Sequence, residues 1–221
     1  MNKKYLPFIG VIVLAVLFVG VVFVIRKINQ PAADTSLEQV DESVPDLTQD
    51  QWPTVALIPS SDGHTLDLKI NNIKVPGASA VEYLLEWTAN NTGTATTQGT
   101  SGTAQLSGQT SVERNDLLLG SESSGKKRFD KGVENGKLTL RFRDANGKLL
   151  GKVQTDWHMQ TGTKTLTSVD KSFTYTLSSM PTNDVWFITI NPFATPDPST
   201  VVVYKSPWAI YASDGKPHAG S

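Results

Sequence analysis

The sequence predicts an all-β, antiparallel, immunoglobulin-like β-sandwich preceded by one N-terminal transmembrane helix. Three observations predict it: an unbroken apolar run from Tyr5 to Ile25, two-residue hydrophobic alternation in one segment after another beyond Trp52, and Gly-containing turns between those segments. The apolar run comes first. As a helix at 1.5 Å per residue it is about 31 Å long, which matches a hydrocarbon core of about 30 Å. Lys3 and Lys4 flank it on one side and Arg26 and Lys27 on the other. Pro7 falls in the first turn, where its missing N–H removes no intrahelical bond. A cleaved signal peptide would show a shorter apolar core and small residues at a cleavage site, whereas this run ends directly in Arg26 and Lys27. With no cysteine in the chain, lipoprotein acylation is excluded as well. The expected residence is a cell membrane, single-pass, with the lipid bilayer as a partner. The N-terminus is expected in the cytoplasm and the C-terminal domain outside it, on a small excess of positive charge in the N-terminal tail.

Residues 1–27 are thus expected to form the anchor with its basic flanks, and 28–51 a disordered acidic tether. Asp34, Glu38, Asp41, Glu42, Asp46 and Asp50 dominate that tether, and its few large apolar residues cannot offset the entropy of ordering. A β-sandwich ectodomain is expected over 52–214, with two small β domains divided near 160–170 as the alternative, and a disordered tail over 215–221. Leu66, Leu68 and Ile70 alternate with polar residues, as do Val81, Tyr83, Leu85 and Trp87. Leu138, Leu140 and Phe142 face Val153, Thr155 and Trp157 across Asp144-Ala145-Asn146-Gly147, which predicts an antiparallel hairpin. Phe173, Tyr175 and Leu177 read as a half-buried strand, and Val185 to Ile190 as a central strand buried on both faces. Val201 to Tyr204 and Trp208 to Tyr211 complete the series. Thr88 to Ser111, rich in Thr, Gly, Ser and Gln, is either a long loop or a Thr-rich edge strand around Thr100 to Leu106. Trp87 suits the inter-sheet core of an immunoglobulin-like domain that lacks the cysteine pair.

Composition excludes more than it assigns. Zero cysteine removes disulfides, thiolate metal sites and thiol nucleophiles, and twenty basic against twenty-one acidic residues leave no nucleic-acid footprint. Gly120-Ser121-Glu122-Ser123-Ser124-Gly125-Lys126 spells the first seven positions of a phosphate-binding loop, but Lys127 stands where a magnesium-binding hydroxyl belongs. A polar hairpin loop is expected there. Ser123 and Lys126 also make a Ser-x-x-Lys, without the companion motifs of penicillin-binding enzymes. Among His64, His158 and His218 only Asp156 and His158 share a strand face, which is read as a solvated face in preference to a metal pair. Asp144 to Gly147 lacks the remaining ligands of a calcium loop and is read as a turn. No catalytic residue, metal ligand or cofactor is assigned.

From Val112 to Lys152 there are ten basic residues against six acidic ones. Lys126, Lys127, Arg128, Arg141 and Arg143 are therefore the candidate contacts for an anionic ligand, provided that the two groups are neighbours in space.

The segments Asp116-Leu117-Leu118-Leu119-Gly120, Phe129-Asp130-Lys131-Gly132-Val133 and Lys137-Leu138-Thr139-Leu140-Arg141-Phe142 resemble a pattern in uncharacterised, membrane-anchored surface proteins of small-genome bacteria. That pattern has Cys in the loop where this chain has Ser121 to Gly125, so no shared redox feature carries over. The resemblance spans about forty residues, transfers no catalytic residue and implies a bacterial envelope protein. The expected function is a binding or assembly module of the cell envelope, without catalysis, whose partner is an anionic envelope polymer or another envelope protein. The alternatives are an envelope enzyme acting on wall polymer and a structural accessory subunit of a membrane complex.

Overall fold

A computed structural model describes residues 47–181 and 184–221. The predicted span over residues 5–25, its flanks Lys3, Lys4, Arg26 and Lys27, and the acidic stretch up to residue 46 lie outside the described residues. Among the described residues no helix is long and apolar enough to cross a membrane.

Apart from a 3-10 turn at Gln49–Gln51, the described residues form antiparallel sheets. The strands are β1 (Thr54–Pro59), β2 (Thr65–Asn71), β3 (Ala80–Ala89), β4 (Thr96–Gln105), β5 (Val112–Leu118), β6 (Gly120–Ser123), β7 (Lys126–Phe129), β8 (Asn135–Arg143), β9 (Leu149–Gln160), β10 (Thr165–Thr167), β11 (Thr174–Thr176), β12 (Phe187–Ile190), β13 (Val203–Lys205) and β14 (Trp208–Ala212). The main sheet runs β13-β14-β12-β9-β8-β3-β4. A second sheet runs β1-β2-β5, and β6-β7 and β10-β11 are separate hairpins.

Period-two alternation explains which face is buried. Tyr83, Leu85 and Trp87 of β3, Leu138, Leu140 and Phe142 of β8, Val153 and Trp157 of β9, and Ile188 and Ile190 of β12 belong to one cluster with Val55 and Leu57 of β1 and Leu66, Leu68 and Ile70 of β2. Two sheets sharing one core is the arrangement of a β-sandwich. The eight residues expected to form one core from β3, β8 and β9 all lie in it. Gly136 leaves room for it: a Cβ there would overlap the Trp157 ring and the Glu86 carbonyl.

The far end of the main sheet is covered on its other face too. Phe187, Ile210 and Ala212 alternate with core residues, so they point away from the first cluster. They meet Leu166, Phe173, Tyr175 and Leu177 of the β10-β11 region in a second cluster. This accounts for β12 being buried at all four positions, as the apolar run from Val185 to Ile190 predicts.

Two local outcomes refine the sequence reading. The Thr-rich stretch contains a ten-residue edge strand, β4, paired with β3 along its whole length. At the other end, the ordered unit reaches back to Leu47, which is buried in the first cluster and accepts the Trp52 Nε1–H bond at 2.9 Å. The last residues of the expected tether are thus part of the domain.

Candidate functional site

Among the described residues only half of the outer face of the main sheet is covered. The β10-β11 region packs over β12 and β14, and the outward side chains of β3, β8 and the first half of β9 remain for the most part half-buried or exposed, Thr139 being buried by its neighbours. The ladder orders them in rows. Glu82, Arg141 and Lys152 form one row, Leu84, Thr139 and Gln154 the next, and Glu86, Lys137 and Asp156 the third.

The turn between β10 and β11 makes a wall beside these rows. Ser168 donates to Asp170 Oδ1 at 2.5 Å, and the Ser172 N–H and hydroxyl donate to the same oxygen at 3.0 and 2.9 Å. These bonds hold the Asp170 carboxyl below the ordinary carboxylate range. Next to them Val169 is 39% exposed, an apolar side chain standing at the edge of a polar trough. A depression of about 370 Å³ lies among Glu86, Thr88, Thr97, Lys137, Asp156 and Val169. A second, of about 330 Å³, shares Lys137, Asp156 and Val169 and continues to Asn191 and Trp208. Together they form one trough across the sheet.

The candidate residues are placed as follows. Lys126, Lys127 and Arg128 are exposed on β7. Arg141 lies in the outer-face row beside Glu82 and Lys152, without an ion pair of 4.0 Å or less among the described residues. Arg143 is engaged: its Nε donates to Glu82 Oε1 at 2.6 Å and its guanidinium to the Gly147 carbonyl at 2.9 Å. The two basic groups sit at opposite ends of β3. The base of the β6-β7 hairpin is held there by Asp130, which accepts from Trp87 Nε1 at 2.8 Å and from Asn91 Nδ2 at 2.8 Å. Arg141 pairs instead with Glu82, five residues back along the strand, about 17 Å away at 3.3 Å per residue.

The loop that spells a phosphate-binding motif is the β6-β7 hairpin. Ser123 pairs with Lys126, and Ser124 and Gly125 both have positive φ, 51° and 73°, as the turn of a two-residue hairpin requires. Lys126 begins a strand. Hence no helix N-terminus faces the Gly120 to Lys126 backbone. Asp144 likewise closes a turn, accepting from the Asn146 and Lys148 N–H groups at 2.8 and 2.9 Å. His158 and Asp156 share a face, but His158 Nδ1 is 2.8 Å from the Thr167 carbonyl under the β10 strand, while Asp156 is exposed. Among the described residues no group of three or more His, Asp or Glu gathers as a metal site.

Sequence reasoning missed Lys137, Lys152, Val169, Asn191 and Trp208 as parts of one site. Lys137 and Lys152 carried a signal, since both alternate with core residues. Val169 and Trp208 carried none, because only the folding of the β10-β11 turn over the sheet brings them to the trough. No family model, curated protein or solved structure matches this chain.

Proposed function

We propose that this chain is a membrane-anchored, extracytoplasmic binding or assembly module of the cell envelope. Residues 5–25 span the bilayer, the N-terminus is cytoplasmic, and the β domain presents the open half of its main sheet to an anionic envelope partner. The finer architecture we assign is immunoglobulin-like, on the placement of Trp87, 2% exposed, in the core between two sheets.

The observation that carries the binding reading is the open sheet face with its free cations. Lys137, Arg141 and Lys152 stand on one sheet face, and among the described residues none of them has an ion pair within 4.0 Å. Lys137 lines the trough together with Glu86, Asp156 and Asp170, and Arg141 and Lys152 stand on the same face beyond it, so the cations suit the charged groups of an anionic polymer and the trough its sugar hydroxyls. The test is sedimentation of the full chain with teichoic-acid-type polymer or with anionic liposomes across a salt series. Binding should weaken as the Debye length falls from about 30 to 10 Å. Arg141→Glu combined with Lys137→Glu should abolish it, and salt-independent binding unaffected by these changes would refute the reading. The β6-β7 cations, Lys126, Lys127 and Arg128, form a separate contact surface, to be tested by their own charge reversal.

One observation favours an envelope enzyme instead. Glu86 and Asp156 flank Lys137 two strands apart, about 10 Å at the backbone, and both line the same depression, so two carboxylates border one concave surface as glycoside hydrolysis requires. Release of reducing ends from wall polysaccharide, lost in both Glu86→Gln and Asp156→Asn, would establish it.

A further inference from the structure

The main sheet has an opening in its middle. β9 is twelve residues long and pairs with β8 along nearly all of it, but β12 pairs with β9 only from Trp157 to Gln160. After Ile190 the chain leaves the sheet and crosses to β1, where Phe193 bridges Thr54 and the Pro192 carbonyl accepts the Val55 N–H at 3.2 Å. Among the described residues, the part of β9 before Trp157 therefore has a strand neighbour on one side only.

The direction of its main-chain groups follows from one hydrogen bond. The Met159 N–H donates to the Glu134 carbonyl on the β8 side. In an antiparallel pair the groups of every second residue face the same way, so Thr155 and Val153 also face β8, whereas Lys152 and Gln154 face the opening. The register shift between β8 and β9 occurs only at Phe142/Arg143, beyond this stretch.

The opening has two walls suited to the alternating side chains of a strand. On the core side, about 420 Å³ lies among Trp52, Val153, Asn191 and Phe193. On the outer side, the 330 Å³ depression reaches Trp208 and Val169 and carries Asp156 and Asp170 at its end away from Lys152, which does not line it. Gln154 and Asn191 border both. Charge completes the description. Lys152 lies directly opposite Arg141, an unfavourable like-charge pair, and no carboxylate among the described residues is within 4.0 Å of it.

The geometry points to a strand-addition site: an extended peptide of a partner protein docks along β9 at Lys152 to Gln154. Its acidic side chain stands opposite Lys152 and its apolar side chains face Trp52 and Phe193. Main-chain bonds to Lys152 and Gln154 supply the register, and the two walls supply the side-chain preference. The lysine suits this edge for a second reason, since charged edges discourage pairing between copies of the same chain. A second copy also fits poorly, because its own β9 is flanked by the same crossing of residues 191–193. The inference rests on the reading of this domain as a binding module and names a polypeptide partner for it.

The test is amide hydrogen exchange on the full chain in detergent micelles, with a short synthetic peptide in which Val alternates with Glu and Thr. The same peptide N-methylated at alternate residues is the control. Exchange at Lys152 and Gln154 should slow at least about tenfold at saturation with the first peptide and stay unchanged with the second. Gln154→Pro removes a donor that β8 does not use and should abolish the protection. Lys152→Glu, a surface change, should weaken binding about fivefold to tenfold. Absence of protection, protection confined to other strands, or full protection in Gln154→Pro would overturn the proposal. Concentration-dependent protection without peptide would make a second copy the occupant and overturn it too. Retained polymer binding alongside a failed peptide test would sink the edge site alone and leave the binding-module reading standing.

Discussion

Replacing Trp87 with Phe should cost more than replacing Trp157 with Phe, although both indoles are almost completely buried, 2% and 0% exposed. Trp87 Nε1 donates to the Asp130 carboxylate at 2.8 Å, whereas Trp157 Nε1 is buried without a hydrogen-bond partner among the described residues. Trp→Phe leaves a similar volume deficit at both sites, so the packing loss approximately cancels in the comparison. What remains is a hydrogen bond to a charged group, about 1.5 to 3 kcal/mol. Trp157→Phe removes no hydrogen bond among the described residues, so it carries no such cost. The assay is urea unfolding of the two variants and of Asp130→Ala, closed as a double-mutant cycle between Trp87 and Asp130. A coupling of about 1 kcal/mol or more is expected, with faster amide exchange in the β6-β7 hairpin, whose base Asp130 fixes. Equal costs for the two Trp→Phe variants would refute the reasoning, as would a full Trp87→Ala cost below about 1 kcal/mol against the 3 to 5 expected for a core tryptophan.

Gly136→Ala should destabilise by about 1 to 3 kcal/mol in thermal unfolding, because its Cβ overlaps Trp157 and the Glu86 backbone and the surrounding ladder has no slack. Acid sensitivity should come from Asp62, Asp170 and Asp214, each held below its ordinary range. Asp62 and Asp170 are held there by serine hydroxyls and backbone N–H groups; at Asp214 burial pushes the other way and is outweighed by the His218 and Lys216 bonds. Their folded pKa values lie below the unfolded ones, so their contribution is present above about pH 4 and is lost as pH falls below it. Stability that declines between pH 8 and 5 and then levels off would contradict this assignment. Titration with MgATP should give no heat, since Lys126 begins a strand and Lys127 offers no hydroxyl to magnesium.

The parts of the fold that were legible in the sequence are those in which a side chain's neighbours are set by period two. Leu138, Leu140 and Phe142 announce their face without help, and the Asp144 to Gly147 turn supplies the return strand. Thr96 to Gln105 was ambiguous because threonine favours strands and glycine weakens them, and the decision came from ten rungs of pairing to β3. Phe173, Tyr175 and Leu177 told that one face is buried, but not that it caps the outer side of β12 and β14 and so shelters only half the sheet. That partial cover is what creates the trough, and no local pattern encodes it. The basic group shows the same limit from the other direction. A count along the chain merges Lys126, Lys127 and Arg128 with Arg141, yet Asp130 ties the hairpin to Trp87 while the ladder sets Arg141 opposite Glu82. Charge adds up along a sequence, but a binding surface is assembled by register, and register here separates the two groups by the length of half a strand. It also leaves Lys152 beside Arg141 where, among the described residues, β9 runs on past the end of β12. Glu82 faces Arg141 from the other side of the row, but Lys152 has no acidic neighbour across the ladder, and beside it the main-chain groups of Lys152 and Gln154 face away from β8. An acidic, extended partner would answer both features at once.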